Sequence, residues 1–141
     1  MNPMIRLFVK AHVWVYRSSG GRRGASMKGQ DVILLTTRGR KTGLKRTVPV
    51  VPFFDDGKMY VIASMAGAPQ HPAWFLNLSA DPHVVVQRGP DCFHARAEVL
   101  SDRERNALWP RLAEAMPAFA AYQDKTTRVI PLIRLDRGAA P

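Results

Sequence analysis

The chain has a single cysteine, Cys92, which excludes an internal disulfide and cannot by itself build a cysteine-based zinc site. Its histidines, His12, His71, His83 and His94, show no helical metal-ligand pairing, and no HExxH motif occurs, so no metal site is expected. Neither a Walker loop nor a dinucleotide fingerprint is present. No apolar run reaches transmembrane length, and Lys10 and His12 interrupt the N-terminal stretch that a signal peptide would need unbroken. Acidic residues are scarce: 11 stand against 21 Lys and Arg, and the net charge is +10. Such a bias favours anionic partners: phosphates, polycarboxylates, nucleic acid or an acidic membrane surface. Asp55-Asp56 ahead of Gly57 reads as turn chemistry rather than a catalytic carboxylate pair. With no evident nucleophile or acid–base pair, a borrowed cofactor is the economical source of any activity.

What is present centres on Val32 to Phe54, VILLTTRGRKTGLKRTVPVVPFF. Val32 to Leu35 and Val48 to Phe54 are rich in β-branched and aromatic residues, as strands are. The turn between them holds Gly39, Thr42, Gly43 and five cations within nine residues: Arg38, Arg40, Lys41, Lys45 and Arg46. Glycines permit tight backbone geometry and expose N–H groups, and arginine adds a planar fork that matches phosphate or carboxylate. The stretch reads as an anion cradle on rigid strands; the plainer reading is a solvated hairpin turn.

At 141 residues the chain suits one domain. Residues 1–30 form a basic amphipathic helix and a linker, with Arg6, Lys10, Arg17, Arg22, Arg23 and Lys28 and no acid. Met4, Phe8, Ala11 and Val15, with Leu7 and Trp14, follow helical spacing. This helix suits either a membrane interface or packing on the barrel or a second subunit. Residues 31–136 form the main domain, and residues 137–141 a short tail. Further strands are expected at Lys58–Ser64, His83–Arg88, Cys92–Leu100 and Val129–Leu135, about six in all. Pro49 and Pro52 confine their strand to an edge or demand a bulge. A short helix is expected over Ala73–Ser79, presenting Trp74, Phe75 and Leu78; Ser101-Asp102-Arg103-Glu104 is a capping box that opens another. Pro110 is expected to kink or interrupt that helix, and Pro117 to separate a final piece. Strands with late-inserted helices suit a mostly antiparallel closed barrel, mainly β with short helices.

Three motifs in order, LLTTRGRKTGLKRTVPV, IASMAGAPQHPAWFLNLSADPHVVVQ and AYQDKTTRVIPLIRL, resemble the deazaflavin-dependent nitroreductase family across Asp31 to Leu135. The resemblance implies a split β-barrel of the FMN-binding-like kind that uses reduced coenzyme F420 as hydride donor. It implies that Arg40, Lys41 and Arg46, with Thr42 and Gly43 of the same turn, bind the phosphate and acidic tail. Pro49, Val50 and Val51, and Ser64, Met65, Ala66, Gly67 and Ala68, match segments lining the deazaflavin ring; Ala73 and Trp74 match the short helix at the pocket. Tyr122 matches a tyrosine on the substrate side and Ser64 a serine that can hydrogen-bond substrate, which makes these two the catalytic candidates. Phe119 takes the place of a second substrate-side tyrosine.

Departures from the family pattern include Met65 for a lysine, Ala66 for a frequent glycine and Phe75 for a frequent tyrosine. The implied reaction is hydride transfer to an electron-poor small molecule: a quinone, an activated enone or a nitroaromatic, the last disfavoured because Phe119 lacks the tyrosine hydroxyl. FMN on a similar barrel is the alternative cofactor, and a non-catalytic binder of anionic lipid or nucleic acid is the rival of another class. No nucleic-acid motif accompanies the charge. The expected setting is the cytoplasm, with peripheral contact to anionic membrane through residues 1–25 and a dimer both left open.

Overall fold

The computed structural model describes residues 3–21, 26–27 and 30–138. Helix α1 (Pro3–Ser18) comes first among the described elements, then two paired two-residue strands, β1 (Ser26–Met27) inside the expected linker and β2 (Gln30–Asp31) across its boundary with the main domain. Strands β3 (Ile33–Arg38), β4 (Lys45–Val50), β5 (Pro52–Asp55) and β6 (Lys58–Ile62) follow. A single 3-10 turn (Met65–Gly67) leads to α2 (Ala73–Ala80), then β7 (His83–Arg88) and β8 (Asp91–Val99). Helices α3 (Asp102–Ala115) and α4 (Pro117–Gln123) precede β9 (Leu132–Arg137).

Seven strands form one antiparallel sheet in the order β4-β3-β7-β8-β9-β6-β5. The stretch expected as one strand, Val48 to Phe54, is two. It leaves the sheet at Val51, so β4 occupies one edge of the ladder order and β5 the other. The sheet is the mostly antiparallel split barrel expected, open where strand pattern alone suggests closure, and the chain itself joins its two edges through Val51. Pro49 and Pro52 sit on these edge strands, where a missing N–H leaves no central ladder bond unmade.

Both sheet faces are buried, because neighbouring residues of one strand serve different cores. Ile33, Leu35, Val61, Ala63, Val84, Val86, Ala95, Ala97, Ile133 and Leu135 pack together on one face, with Leu78 of α2 among them. Val32, Leu34, Tyr60, Ile62 and Leu132 face the other way, against Val13 and Tyr16 of α1, Leu108 and Leu112 of α3, and Met116. Period-two alternation between two apolar sets is what a sheet covered on both sides requires.

Tyr16 anchors α1. It is fully buried; its hydroxyl lies 3.0 Å from the Val32 carbonyl and 3.3 Å from that of Gln87, and accepts from the Gly89 N–H at 2.8 Å. Arg17 adds a bond to Thr47 of β4. The helix packs through Val9, Val13 and Tyr16, not through the stripe that its apolar spacing singles out. Met4, Leu7, Phe8 and Trp14 of that stripe are each 69–80% exposed.

The capping box forms as expected, with Ser101 accepting from the Glu104 N–H and Glu104 from the Ser101 N–H. Pro110 does not interrupt α3, which runs to Ala115. Pro110 and Asn106 are both exposed, so water can serve the carbonyl that the proline leaves free. The last strand starts three residues later than expected, after Pro131, whose carbonyl accepts from the Ala63 N–H.

Candidate active site

The basic turn is a rigid object. The Gly39 N–H bonds the Leu44 carbonyl at 2.7 Å, the Gly43 N–H bonds that of Gly39 at 2.8 Å, and Thr42 Oγ1 accepts from the Leu44 N–H. Gly39 has no room for a Cβ, which would stand 2.9 Å from Thr42 Oγ1. These amides are thus engaged inside the turn, so what it offers to an anion is side chains rather than the exposed N–H groups expected from its glycines. Arg40, Lys41, Lys45 and Arg46 are exposed, and none of them pairs with a carboxylate among the described residues. Arg38 differs, reaching Asp81 at 3.7 Å.

One residue that the sequence reading passes over holds this turn in place. Asn77 of α2 is 4% exposed; its Oδ1 accepts from the Arg40 N–H at 3.2 Å and from Arg40 Nη1 at 2.9 Å, while its Nδ2 donates to Thr37 Oγ1. The same helix starts at Ala73 and carries Trp74 and Phe75, both half-buried against one core face beside Val48 and Val50 of β4. Helix α2 therefore holds Arg40 and the tryptophan in one frame. Pro49 and Val50 are half-buried on the edge strand, and Val51 is buried at the bend.

The loop after β6 is bent in an unusual way. Met65 and Ala66 take φ of 47° and 54°, and Gly67 one of 81°. Two successive non-glycine residues in the left-handed region cost roughly 1–3 kcal/mol each, and such strain gathers at functional sites. Ala66 stands where glycine would sit without strain. Gly67 is required twice over, since a Cβ there would also lie 2.8 Å from the Tyr122 carbonyl oxygen. That approach brings α4 directly onto the loop. Phe119 and Tyr122 meet edge to face, with centroids 5.5 Å apart, half-buried against the core that includes Val51. The structure thus brings Ser64 to Ala68 and Tyr122 together, and Arg40 together with the Trp74 helix. Ser64 itself is 5% exposed.

A second residue outside the sequence-based candidates, Arg128, ties the loop from behind. Its donors reach the Ala68 carbonyl at 2.9 Å, Ala63 at 3.1 Å, Ser64 at 2.8 Å and His71 Nδ1 at 3.1 Å. A guanidinium only donates, so His71 Nδ1 accepts and the neutral ring carries its proton on Nε2. Burial, and then the Arg128 charge, hold the His71 pKa below its ordinary value. Burial likewise lowers that of Arg128.

Among the described residues no group of His, Cys, Asp and Glu could hold a metal ion. A split barrel with cations on a clamped turn and an aromatic wall suits a flat redox cofactor with an anionic tail. Its class is a cofactor-dependent oxidoreductase. Residues 8–136 match the model of the F420H(2)-dependent quinone reductase family, and the chain belongs to that family; its coenzyme is F420. An F420H(2)-dependent quinone reductase of Mycobacterium tuberculosis is 32% identical over 133 residues, covering 92% of this chain and 89% of that one. The solved structure of an F420-H2 dependent reductase, FDR-A, aligns with a TM-score of 0.66 at 40% identity over 74% of this chain and 93% of its own. A structure described as a domain-swapped dimer aligns at 0.70 and 33% identity, covering 94% and 97%.

Proposed function

We propose that this protein reduces a quinone with hydride from F420, and that its own residues bind and orient rather than react. When bound, the reduced deazaflavin supplies the hydride. Arg40, Lys41 and Arg46, with Thr42 and Gly43, hold the phosphate and acidic tail; Pro49, Val50, Val51, Ala73 and Trp74 wall the ring; Ser64 to Ala68 form its floor. Tyr122 donates a hydrogen bond to the quinone oxygen as charge develops there, while Phe119 supplies shape without a donor. The carrying observation is the set of unpaired cations on a turn clamped to the Trp74 helix by Asn77. Titration of F420 fluorescence tests it. Arg40→Ala and Lys41→Ala should each weaken binding by about 1–3 kcal/mol, and more so in low salt. Wild-type affinity in the double variant would place the tail elsewhere.

The exposed stripe on α1 supports a second reading, that the protein works at the cytoplasmic face of an anionic membrane. Met4, Leu7, Phe8 and Trp14 form an open apolar face, flanked by Arg6, Lys10 and Arg17, on a helix already fixed to the barrel by its other side. Such a face suits the headgroup boundary, where lipophilic quinones are met. No helix among the described residues is long and apolar enough to cross a membrane. Co-sedimentation with phosphatidylglycerol vesicles, lost in Phe8→Asp/Trp14→Asp and absent with phosphatidylcholine, is the expected result. A dimer that dissociates in the same variant, without vesicle binding, would assign the stripe to a second copy.

A further inference from the structure

The segment after α4 carries a cation with no role in the reaction as proposed above. Arg128 is half-buried, and no carboxylate lies within ion-pair distance of it among the described residues. Its donors are instead spread over three main-chain carbonyls of the loop, Ala63, Ser64 and Ala68, and the neutral His71. A surface arginine placed only to link two loops would not need so many neutral acceptors, nor leave its charge uncompensated.

Peptide geometry gives this arrangement a consequence. In a planar trans peptide the carbonyl and the following N–H point in opposite directions. The Ala63 and Ser64 carbonyls turn towards Arg128, so the Ser64 and Met65 N–H groups turn away from it. Ser64 is right-handed helical (φ −80°, ψ −38°) and Met65 left-handed (φ 47°). Successive residues of these two kinds make their amides converge on an acceptor. A cation bonded to the carbonyl of a peptide also polarises its N–H. The guanidinium behind the loop therefore shapes and strengthens a small donor concavity on its far side.

Arg128 is itself held. Gln123, the residue after Tyr122, donates through Nε2 to the Arg128 carbonyl at 2.7 Å. Its Oε1 accepts from the Ile130 N–H and from Arg105, a buried arginine stacked 4.0 Å over Trp109. One ordered segment thus sets both Tyr122 and the loop that it faces.

We infer that Arg128 is a positioning residue for the ring: it holds Ser64 to Ala68 so that the Ser64 and Met65 amides, not the internally bonded Gly67 and Ala68 amides, receive the electron-rich carbonyl edge of a deazaflavin. This rests on the F420 reading above, and a ligand without the anionic tail separates the two. Full F420 and the same chromophore with its ribityl chain but no phosphate are titrated by fluorescence into the wild type, Lys41→Ala, Arg128→Gln and Arg128→Lys. Cooperative thermal melting shows which variants fold. Arg128→Gln should weaken both ligands by about tenfold or more, as loss of a charged hydrogen-bond partner does. Lys41→Ala should weaken only F420. Arg128→Lys, which keeps the charge and loses the fork, should fall between the wild type and Arg128→Gln, and carries the test alone if Arg128→Gln does not fold. A folded Arg128→Gln, or Arg128→Lys where the glutamine variant does not fold, that binds the tail-less chromophore within about twofold of wild type overturns the inference, since a lost charged or forked contact predicts more. So does a wild type that binds F420 and ignores the tail-less chromophore. A wild type that binds neither refutes the cofactor reading itself.

Discussion

Replacing Asn77 by alanine should damage cofactor binding although its side chain is almost wholly buried. Three hydrogen bonds disappear: from the Arg40 N–H, from Arg40 Nη1 and to Thr37 Oγ1. Thr37 is 1% exposed, so its hydroxyl loses a partner where water cannot easily replace it. At about 0.5–1.5 kcal/mol for each of the two neutral bonds and roughly 1.5–3 for the one to the guanidinium, the total is about 2.5–6 kcal/mol. Not all of this falls on global stability, because the freed turn is exposed and can rehydrate. A drop in melting temperature of about 5–10 °C is expected at a few degrees per kcal/mol. The rest appears on binding: a loose turn must be ordered when the anionic tail arrives, weakening F420 by roughly tenfold or more. Thermal melting by circular dichroism and F420 titration on one preparation measure both. Asn77→Asp separates tether from charge, since it keeps a carboxyl oxygen to accept both Arg40 bonds while neutralising one cation of the turn. Asn77→Ala with wild-type F420 affinity would show that the turn needs no clamp, and would refute the reasoning.

Tyr122→Phe should lower quinone turnover about ten- to a hundredfold with F420 affinity preserved, the loss of one transition-state hydrogen bond of roughly 1.5–3 kcal/mol; Phe119→Tyr should raise nitroaromatic reduction, both read from steady-state rates. Tyr16→Phe leaves the Gly89 N–H and Val32 carbonyl without their buried partner and should destabilise the fold by about 1–3 kcal/mol in urea melts, while turnover on a water-soluble quinone is kept. His71 has its pKa lowered in the folded state, so the unfolded chain binds the extra proton first. Its stabilising contribution is complete above its ordinary pKa near 6.5 and is lost as pH falls towards the depressed folded value. Stability measured between pH 7.5 and 5 should therefore decline with acid, and His71→Gln should flatten that decline.

Much of the frame is legible in the residues because it is local. Alternation in Cys92 to Leu100, the Ser101–Glu104 capping box and the glycines of the basic turn each act within a few positions. Val48 to Phe54 reads as one strand because nothing in its composition marks Val51 as the place where the sheet changes edge; the two prolines announce an edge but not which edge. The apolar stripe of α1 is visible, yet periodicity cannot tell which of two apolar faces meets the barrel, and Val13 and Tyr16 win through the buried Tyr16 hydroxyl network. Asn77 hides as one amide in an apolar helix, although a polar residue at the centre of AWFLNLSA is itself a signal. Arg128 is hidden by distance, since its partners lie 57 to 65 positions away. Left-handed Met65 and Ala66 carry no signature, because non-glycine residues seldom adopt that backbone and nothing in their side chains demands it.

Hydride transfer itself is tested by mixing reduced F420 with a water-soluble quinone under anaerobic conditions and following the return of oxidised-cofactor absorbance. The protein should accelerate this oxidation, with saturation in both partners and loss of activity in the Arg40→Ala/Lys41→Ala double variant at low cofactor concentration. No acceleration with reduced F420, in a preparation that oxidises reduced FMN with the same quinone, would contradict the assignment of cofactor and tail site together.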